Sequence, residues 1–415
     1  MRIKRQALSL ASLWTLIIVT SAGAQNAVVS NVEVSLSGTV ATITYDLSGS
    51  AANISIIFSK DAGGTYPFGA PSATGDLGSG VTPGTGKTIA WDIAADHPAE
   101  CIPQASIGVV PYGGPAINMA MVSVPAGSFE MGDSFGEGGS DELPVHTVTL
   151  SAYEIGTYEV TNAQVAAVYN WANGLGLIDT VDANAVTHNG VELLSLGSPY
   201  WSQIIYNGVS GQLEVRTRDG FPLADHPVVL ITWYGSVAFC NWLSLLEGRA
   251  PVYDLATWSR VTPTGGGYRL PTEAEWERAA GWDATADRQW RYGTGSDSIT
   301  WWGDANYSQS NPLALTSQPY TTPVGFYAGI TSPVGCYDMS GNVWERCEDW
   351  YSSNFYSTGQ TQDPINKTGG ELRVLRGGSW ESSALSLRSA CRLYTVPANT
   401  LGSIGFRVVR GSGSR

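Results

Sequence analysis

The sequence predicts an α+β protein in two parts: an all-β module near the N-terminus, then a larger body of few helices in a loop-rich frame. Three observations carry this. The early part of the chain is written in short alternating apolar runs broken by turn residues. Thirteen of the 15 tryptophans stand at or after Trp171, so the composition changes along the chain. The 49 glycines and 21 prolines favour turns over long helices, while 43% hydrophobic residues suffice for a sizeable core. A length of 415 residues suits two to three domains of about 150 residues each.

Residues 1–24 read as an address. Arg2, Lys4 and Arg5 form a basic start, Ala7 to Val19 a largely apolar stretch, and Ala22-Gly23-Ala24 the small residues that a signal peptidase cuts after. The alternative, a retained membrane anchor, would need a longer apolar run. The mature chain is therefore expected to begin at Gln25, in a secreted or periplasmic protein without a transmembrane anchor. Lys and Arg number 22 against 36 Asp and Glu, a formal charge of −14, which argues against nucleic acid as a partner.

Residues 25–114 are expected to form the β module. Val28-Val29, Val32, Val34 and then Thr39 to Tyr45 alternate with period two; Ile54 to Phe58 and Ile107 to Val110 add short apolar runs. Such strands make an antiparallel sandwich that resembles immunoglobulin or fibronectin type III modules. Its Asp and Ser residues lie in turns, where local hydrogen bonding accounts for them. Spacing or docking is its expected role. Pro111 to Pro115, with Gly113-Gly114, suits a linker.

In the larger body, residues 117–410, three helices stand out. Thr161 and Gln164 have capping-box form, opening a helix to about Asn173 that stops at Gly174. A second covers about Tyr234 to Glu247, with Val237, Cys240, Leu243 and Leu246 on one face. Thr272 and Glu275 repeat the capping logic and open a third to about Ala280. Residues 175–226 read as an insertion with weak strand signals at Val191 to Leu194 and Gln212 to Thr217. Residues 411–415 form a flexible Gly-Ser tail.

Five cysteines, at 101, 240, 336, 347 and 391, permit at most two disulfides. Cys336 and Cys347 bracket a loop that a bridge would staple; a Cys240–Cys391 bridge is an alternative that only geometry decides. Cys240 reads as a buried structural thiol. The four histidines, His97, His146, His188 and His226, are scattered and match no zinc pattern, so structural or surface roles are expected.

A series of segments then gives the larger body a family likeness. It runs Val124-Pro125-Ala126-Gly127-Ser128-Phe129-Glu130-Met131-Gly132, Glu142-Leu143-Pro144-Val145-His146, Tyr158-Glu159-Val160-Thr161-Asn162 and His226-Pro227-Val228-Val229 with Trp233. It continues with Tyr268-Arg269-Leu270-Pro271-Thr272-Glu273-Ala274-Glu275-Trp276-Glu277 and Tyr337-Asp338-Met339-Ser340-Gly341-Asn342-Val343-Trp344-Glu345. Arg376-Gly377-Gly378-Ser379-Trp380 and Ile404-Gly405-Phe406-Arg407 close it. In this order the segments resemble the formylglycine-generating enzyme family, the sulfatase-modifying factors, over roughly residues 117–410.

The resemblance implies a C-type-lectin-like α+β fold with little regular secondary structure. It also implies an oxygen-dependent oxidase that converts a sulfatase cysteine to formylglycine, using copper(I) held by two thiolates, a pairing that soft-ligand chemistry favours. The positions matching the two copper cysteines are Ser382 and Leu387, and the family's Asn before the Ile-Gly-Phe-Arg segment is Ser403. Copper is therefore not expected. The family's partner for Cys240 corresponds to Val408. The resemblance also places a structural calcium on Asp338, Gly341, Val343 and Glu345, where two carboxylates and two loop carbonyls are hard oxygen donors. The alternative has Asp338 capping a turn and Glu345 paired with an arginine such as Arg346 or Arg376. A second family calcium would use Asn306 and Tyr307, but its downstream half is not recognisable.

Arg269, Glu273, Glu275, Arg376 and Arg407 read as loop-fastening ion pairs rather than as an acid–base centre, because a helix's first turn favours carboxylates anyway. Trp301, Trp302, Trp344, Trp350 and Trp380 are expected mostly in the core, some lining the groove where the family takes substrate. Two functions remain. One is a non-catalytic, secreted module whose groove at Trp344, Ser379 and Ser382 binds a peptide, protein or glycan. The other is an oxidoreductase acting on sulfatase cysteines through an atypical centre.

Overall fold

A computed structural model describes residues 28–49, 52–59, 70, 72–96, 106–112, 116–261, 266–300 and 303–411. The leader at 1–24, His97, Cys101, Trp301, Trp302 and the tail beyond 411 lie outside the described residues. The chain divides into two compact units. Met1–Ala116, Trp171–Ile178 and Asn241–Gly267 make one; Ile117–Asn170, Asp179–Cys240 and Tyr268–Arg415 make the other.

In the first unit, strands Val28–Ser37, Val40–Ser48, Gly84–Asp92 and Thr74–Gly75 form one antiparallel sheet in that order. Gly78–Val81, Ala52–Ser59 and Ser106–Tyr112 form a second. Alternation places Ala41, Ile43, Tyr45 and Leu47 on the inner face of their strand. They share one core with Ile89 and Trp91 of the same sheet and with Ile54, Ile56, Ile107 and Val109 of the other. Two sheets closing on a common core make a β-sandwich, as expected. The Gly84–Asp92 strand was not predicted, because it opens on Gly-Thr-Gly and only Ile89 and Trp91 carry its alternation. The buried aromatics keep their polar tips satisfied: Tyr45 donates to the Asp76 carbonyl at 2.5 Å and Trp91 to Asp96 at 2.7 Å.

The three predicted helices are present, at Asn162–Gly174, Trp233–Leu246 and Glu273–Gly281. Both capping boxes close in both directions. Gln164 N donates to Thr161 and Thr161 N to Gln164; Glu275 N donates to Thr272 and Thr272 N to Glu275. In the second helix Gly235 is required by packing, since a Cβ there would stand 2.1 Å from the Leu193 carbonyl oxygen.

Short strands surround the helices. Gly127–Met131 pairs with His146–Leu150, and Met121–Val124, Tyr153–Gly156 and Val409–Gly411 form a three-stranded sheet. A four-stranded sheet runs in the order Leu393–Thr395, Arg373–Arg376, Trp344–Trp350, Ile404–Gly405. The Glu273–Gly281 helix is buried along its whole length, and Trp276 packs in a core with Phe129, Val148, Ile155, Met339 and Val374. In the insertion, Val191–Ser195 pairs with Ala185–His188, and Gln212–Val215 pairs with Ile204–Asn207.

A buried polar string ties this insertion to the first helix. Asn162 Nδ2 donates to Gln203 Oε1 at 2.7 Å, Gln203 Nε2 to Thr321 Oγ1 at 2.9 Å, and Thr321 Oγ1 meets His226 Nδ1 at 2.9 Å. His226 is fully buried with Nε2 unpartnered. Burial first, and then the charge of Arg218, press the imidazole down from 6.5 to about 4. The unfolded chain therefore takes up a proton near pH 6.5 that the folded chain refuses until about pH 4. The stabilisation is complete above pH 6.5 and shrinks as the pH falls towards 4, by on the order of 3 kcal/mol. Urea unfolding at pH 7 and pH 4.5 should show His226→Gln losing less stability on acidification than wild type. Equal losses would exclude this account.

Candidate functional site

Buried arginines organise the region around Trp344–Trp350. Arg407 grips Glu345 with two donors, Nε to Oε2 at 2.5 Å and Nη2 to Oε1 at 2.6 Å. Its remaining donors reach the carbonyls of Gly156 and Tyr337. Burial opposes the Arg407 charge, but Glu345 outweighs it and holds the guanidinium above its ordinary range. Arg376 is bonded to Glu277 and lies 3.5 Å from Glu273, while Arg392 takes Glu273 at 2.7 and 2.8 Å and Arg269 takes Glu275 at 2.6 Å twice. The expected ion pairs are present. With both oxygens engaged, Glu273 and Glu275 fasten loops and form no acid–base pair.

The two positions that match the copper cysteines are engaged differently. Leu387 is fully buried and packs with Tyr292, Ala305 and Tyr307. Ser382 Oγ lies 3.1 Å from Ser379 Oγ and accepts from Ser379 N at 3.0 Å; its carbonyl accepts from Ser308 N at 2.8 Å. Ser379 is buried and Ser382 half-buried, next to exposed Glu381, Ser383, Leu385, Ser308 and Gln309. Trp344, expected in the same groove, is only 7% exposed and packs with Leu375, Ile404 and Cys391. Its neighbours are those of a core side chain. Ser379 and Ser382 are thus brought together, while Trp344 belongs to a different cluster.

Cys240, Cys336, Cys347 and Cys391 are all thiols, so neither the Cys336–Cys347 staple nor the Cys240–Cys391 bridge exists. Cys336 and Cys347 share one apolar core, where packing rather than a covalent link holds the loop. Burial pushes the thiols of Cys336 and Cys391 up to about 11, and those of Cys240 and Cys347 well above their ordinary range.

The Asp338–Glu345 loop gathers buried negative charge. Asp338 has φ 58° and Asn342 φ 65°, and Asp338 Oδ2 accepts from Gly325 N at 2.6 Å. Sequence reasoning missed Glu159, quoted above only as part of a motif. Glu159 is buried and accepts from Asn342 Nδ2 at 2.7 Å and Val343 N at 3.2 Å. Burial, then Asp338 and Glu345, drives the Glu159 carboxyl well above its usual range, and burial lifts Asp338 to about 6. Three carboxylates face one cation, Arg407.

Among the described residues, no three His, Cys, Asp or Glu side chains are grouped to hold a metal by themselves. Both oxygens of Glu345 are taken by Arg407 and by Trp276 Nε1 at 2.8 Å, so its side chain serves as an ion-pair partner; the arginine is Arg407, not Arg346 or Arg376. A cation here would rest on Asp338 and the Gly341 and Val343 carbonyls, a hard-oxygen set compatible with calcium. At the second position Asn306 is spent internally, donating to the Tyr320 carbonyl and Asn342 and accepting from Ser310, while Tyr307 packs with Leu387.

With this geometry in place, comparison with known proteins is informative. The Sulfatase-modifying factor enzyme 1-like domain family matches residues 114–412. A formylglycine-generating enzyme of Streptomyces coelicolor is 31% identical over 323 residues, covering 74% of this chain and 93% of that protein. Serine/threonine-protein kinase Pkn1 of Chlamydia trachomatis is 33% identical over 292 residues; the match takes in 70% of this chain but 38% of the kinase. Among solved structures, Treponema denticola variable protein 1 superposes with a TM-score of 0.50 at 25% identity, over 72% of this chain and 98% of that one.

The Glu345–Arg407 pair yields a test. Glu345→Gln strands a buried guanidinium and should destabilise by about 3–5 kcal/mol, whereas the apolar double variant Glu345→Leu/Arg407→Met should recover part of that loss. Urea unfolding of the wild type, Glu345→Leu, Arg407→Met and the double would read this coupling; additive losses would show that the pair is not the fastening point.

Proposed function

Because this chain belongs to the sulfatase-modifying factor family and has its α+β, C-type-lectin-like fold, we propose that it is a secreted or periplasmic, non-catalytic member that uses the scaffold to bind a peptide or glycan. The observation that carries this reading is Leu387, fully buried in an apolar cluster at the position of the second copper thiolate. A leucine cannot ligate copper(I), and a serine at position 382 offers a hard oxygen where a soft thiolate is needed. Burial raises the thiols of all four described cysteines above their ordinary range, which disfavours the free thiolate at each. Ser382 with exposed Ser383, Ser308 and Gln309 offers neutral hydrogen-bonding groups beside the Glu381 carboxylate, suited to backbone amides or sugar hydroxyls.

The 31% identity to a formylglycine-generating enzyme over 93% of its length favours a second reading, an oxidoreductase with an atypical centre. Incubating copper-treated protein with a Cys-x-Pro-x-Arg peptide and weighing the product separates the two. An unchanged peptide is the expected result, and the mass of a formylglycine peptide would overturn the binding assignment.

The same family reading places calcium at the Asp338 loop. The excess of buried carboxylate over cation around Glu159, Asp338 and Glu345 supports it. A cation that binds only the folded chain adds RT ln(1 + [L]/Kd), about 2.7 kcal/mol at a hundredfold excess over Kd. Thermal melts should show wild type losing stability to chelator and Asp338→Ala insensitive to it. Identical wild-type melts with calcium and with chelator would retire the metal.

A further inference from the structure

Arg346 differs from the buried arginines that meet a carboxylate, and Arg278, also buried, shares with it a neutral carbonyl acceptor, at Gly127. Arg269, Arg376, Arg388, Arg392 and Arg407 each meet a carboxylate, but no ion pair involves Arg346 among the described residues. It is fully buried, one residue past Glu345 and opposite Leu375 on the neighbouring strand. Its Nε and Nη2 donate to the Ile231 carbonyl at 3.2 and 2.9 Å, and Nη2 also to the Asn399 carbonyl at 2.6 Å. These acceptors are neutral. Nη1 is buried and has no acceptor among the described residues.

We propose that Arg346, together with the N-terminal end of the Trp233–Leu246 helix, forms a binding site for a small monovalent anion of halide size. An uncompensated buried cation and an unmade hydrogen bond are each costly, and a single anion against Nη1 relieves both. The helix adds to the demand. Ile231, whose carbonyl receives the guanidinium, stands two residues before the first turn, where the backbone dipoles sum to positive charge. In that turn Trp233 N donates to the Pro397 carbonyl and Gly235 N to Thr232 Oγ1. Through the Ile231 carbonyl the Arg346 charge thus lies beside the start of that helix. The 396–401 segment, which supplies Asn399 and Pro397 and exposes Val396 and Leu401, covers the site. A small ion suits it better than a bulky one.

The test uses the full chain at constant ionic strength and constant calcium, exchanging sodium gluconate for sodium chloride or bromide. The wild-type melting temperature should rise with the logarithm of halide concentration, and Arg346→Met should melt at a temperature independent of halide. Crystals grown in bromide should give an anomalous peak within hydrogen-bonding distance of Nη1, a measurement on wild type that holds even if the variant does not fold. Identical wild-type melts in gluconate and chloride, an equal halide response in Arg346→Met, or a water without anomalous signal at Nη1 would each overturn the site.

Discussion

The larger unit depends on one buried contact, the two-pronged grip of Arg407 on Glu345. Charges this deeply buried are tolerated only when paired and fully hydrogen-bonded. Satisfying the pair recruits distant parts of the chain: Trp276 from the Glu273–Gly281 helix, the Gly156 carbonyl from the end of the Tyr153–Gly156 strand and the Tyr337 carbonyl from the Asp338 loop. One ion pair therefore fixes a helix, two strands and a loop against one another. In a unit with so little regular secondary structure, contacts of this kind stand in for long hydrogen-bonded ladders. The same device recurs at Arg376 with Glu277, Arg392 with Glu273 and Arg388 with Glu142.

Within that frame Asn342 organises the loops. Its φ of 65° turns the chain, its Oδ1 accepts from Thr322 N and Asn306 Nδ2, and its Nδ2 reaches Glu159. Its backbone joins Asn306 and Trp380 as well, which sets the Ser379–Ser382 turn beside the Ser308 turn. The chain belongs to the family, and at the positions expected from the resemblance to hold copper thiolates it has the Ser382 hydroxyl and the buried Leu387 side chain. Scaffold and chemistry are separable because the ion pairs and the Asn342 network do not depend on a metal thiolate for their own satisfaction.

Much of this was legible in the chain itself. The capping boxes at Thr161 and Thr272 announce helix starts because donor and acceptor lie three residues apart. The alternation from Val40 to Ser48 announces an inward face for the same local reason. The Gly84–Asp92 strand escaped notice because its pairing with Val40–Ser48, and not its own composition, makes it a strand. Glu159 escaped for a similar reason: as a letter in the sequence it is a charged residue before a helix, and only folding places it against Asn342 and Val343.

The sequence by itself determined the family, the helix boundaries and the alternating sandwich strands, because each is a property of residue types at short or fixed spacing. The tertiary structure alone decided which arginine meets which carboxylate, that the four described cysteines stay thiols, that Trp344 lies in the core and that Arg346 meets no carboxylate among the described residues. Those are matters of distance between residues far apart in the chain. The pairing of Glu345 with Arg407 spans 62 residues, and no local rule distinguishes Arg407 from Arg346 or Arg376 as its partner.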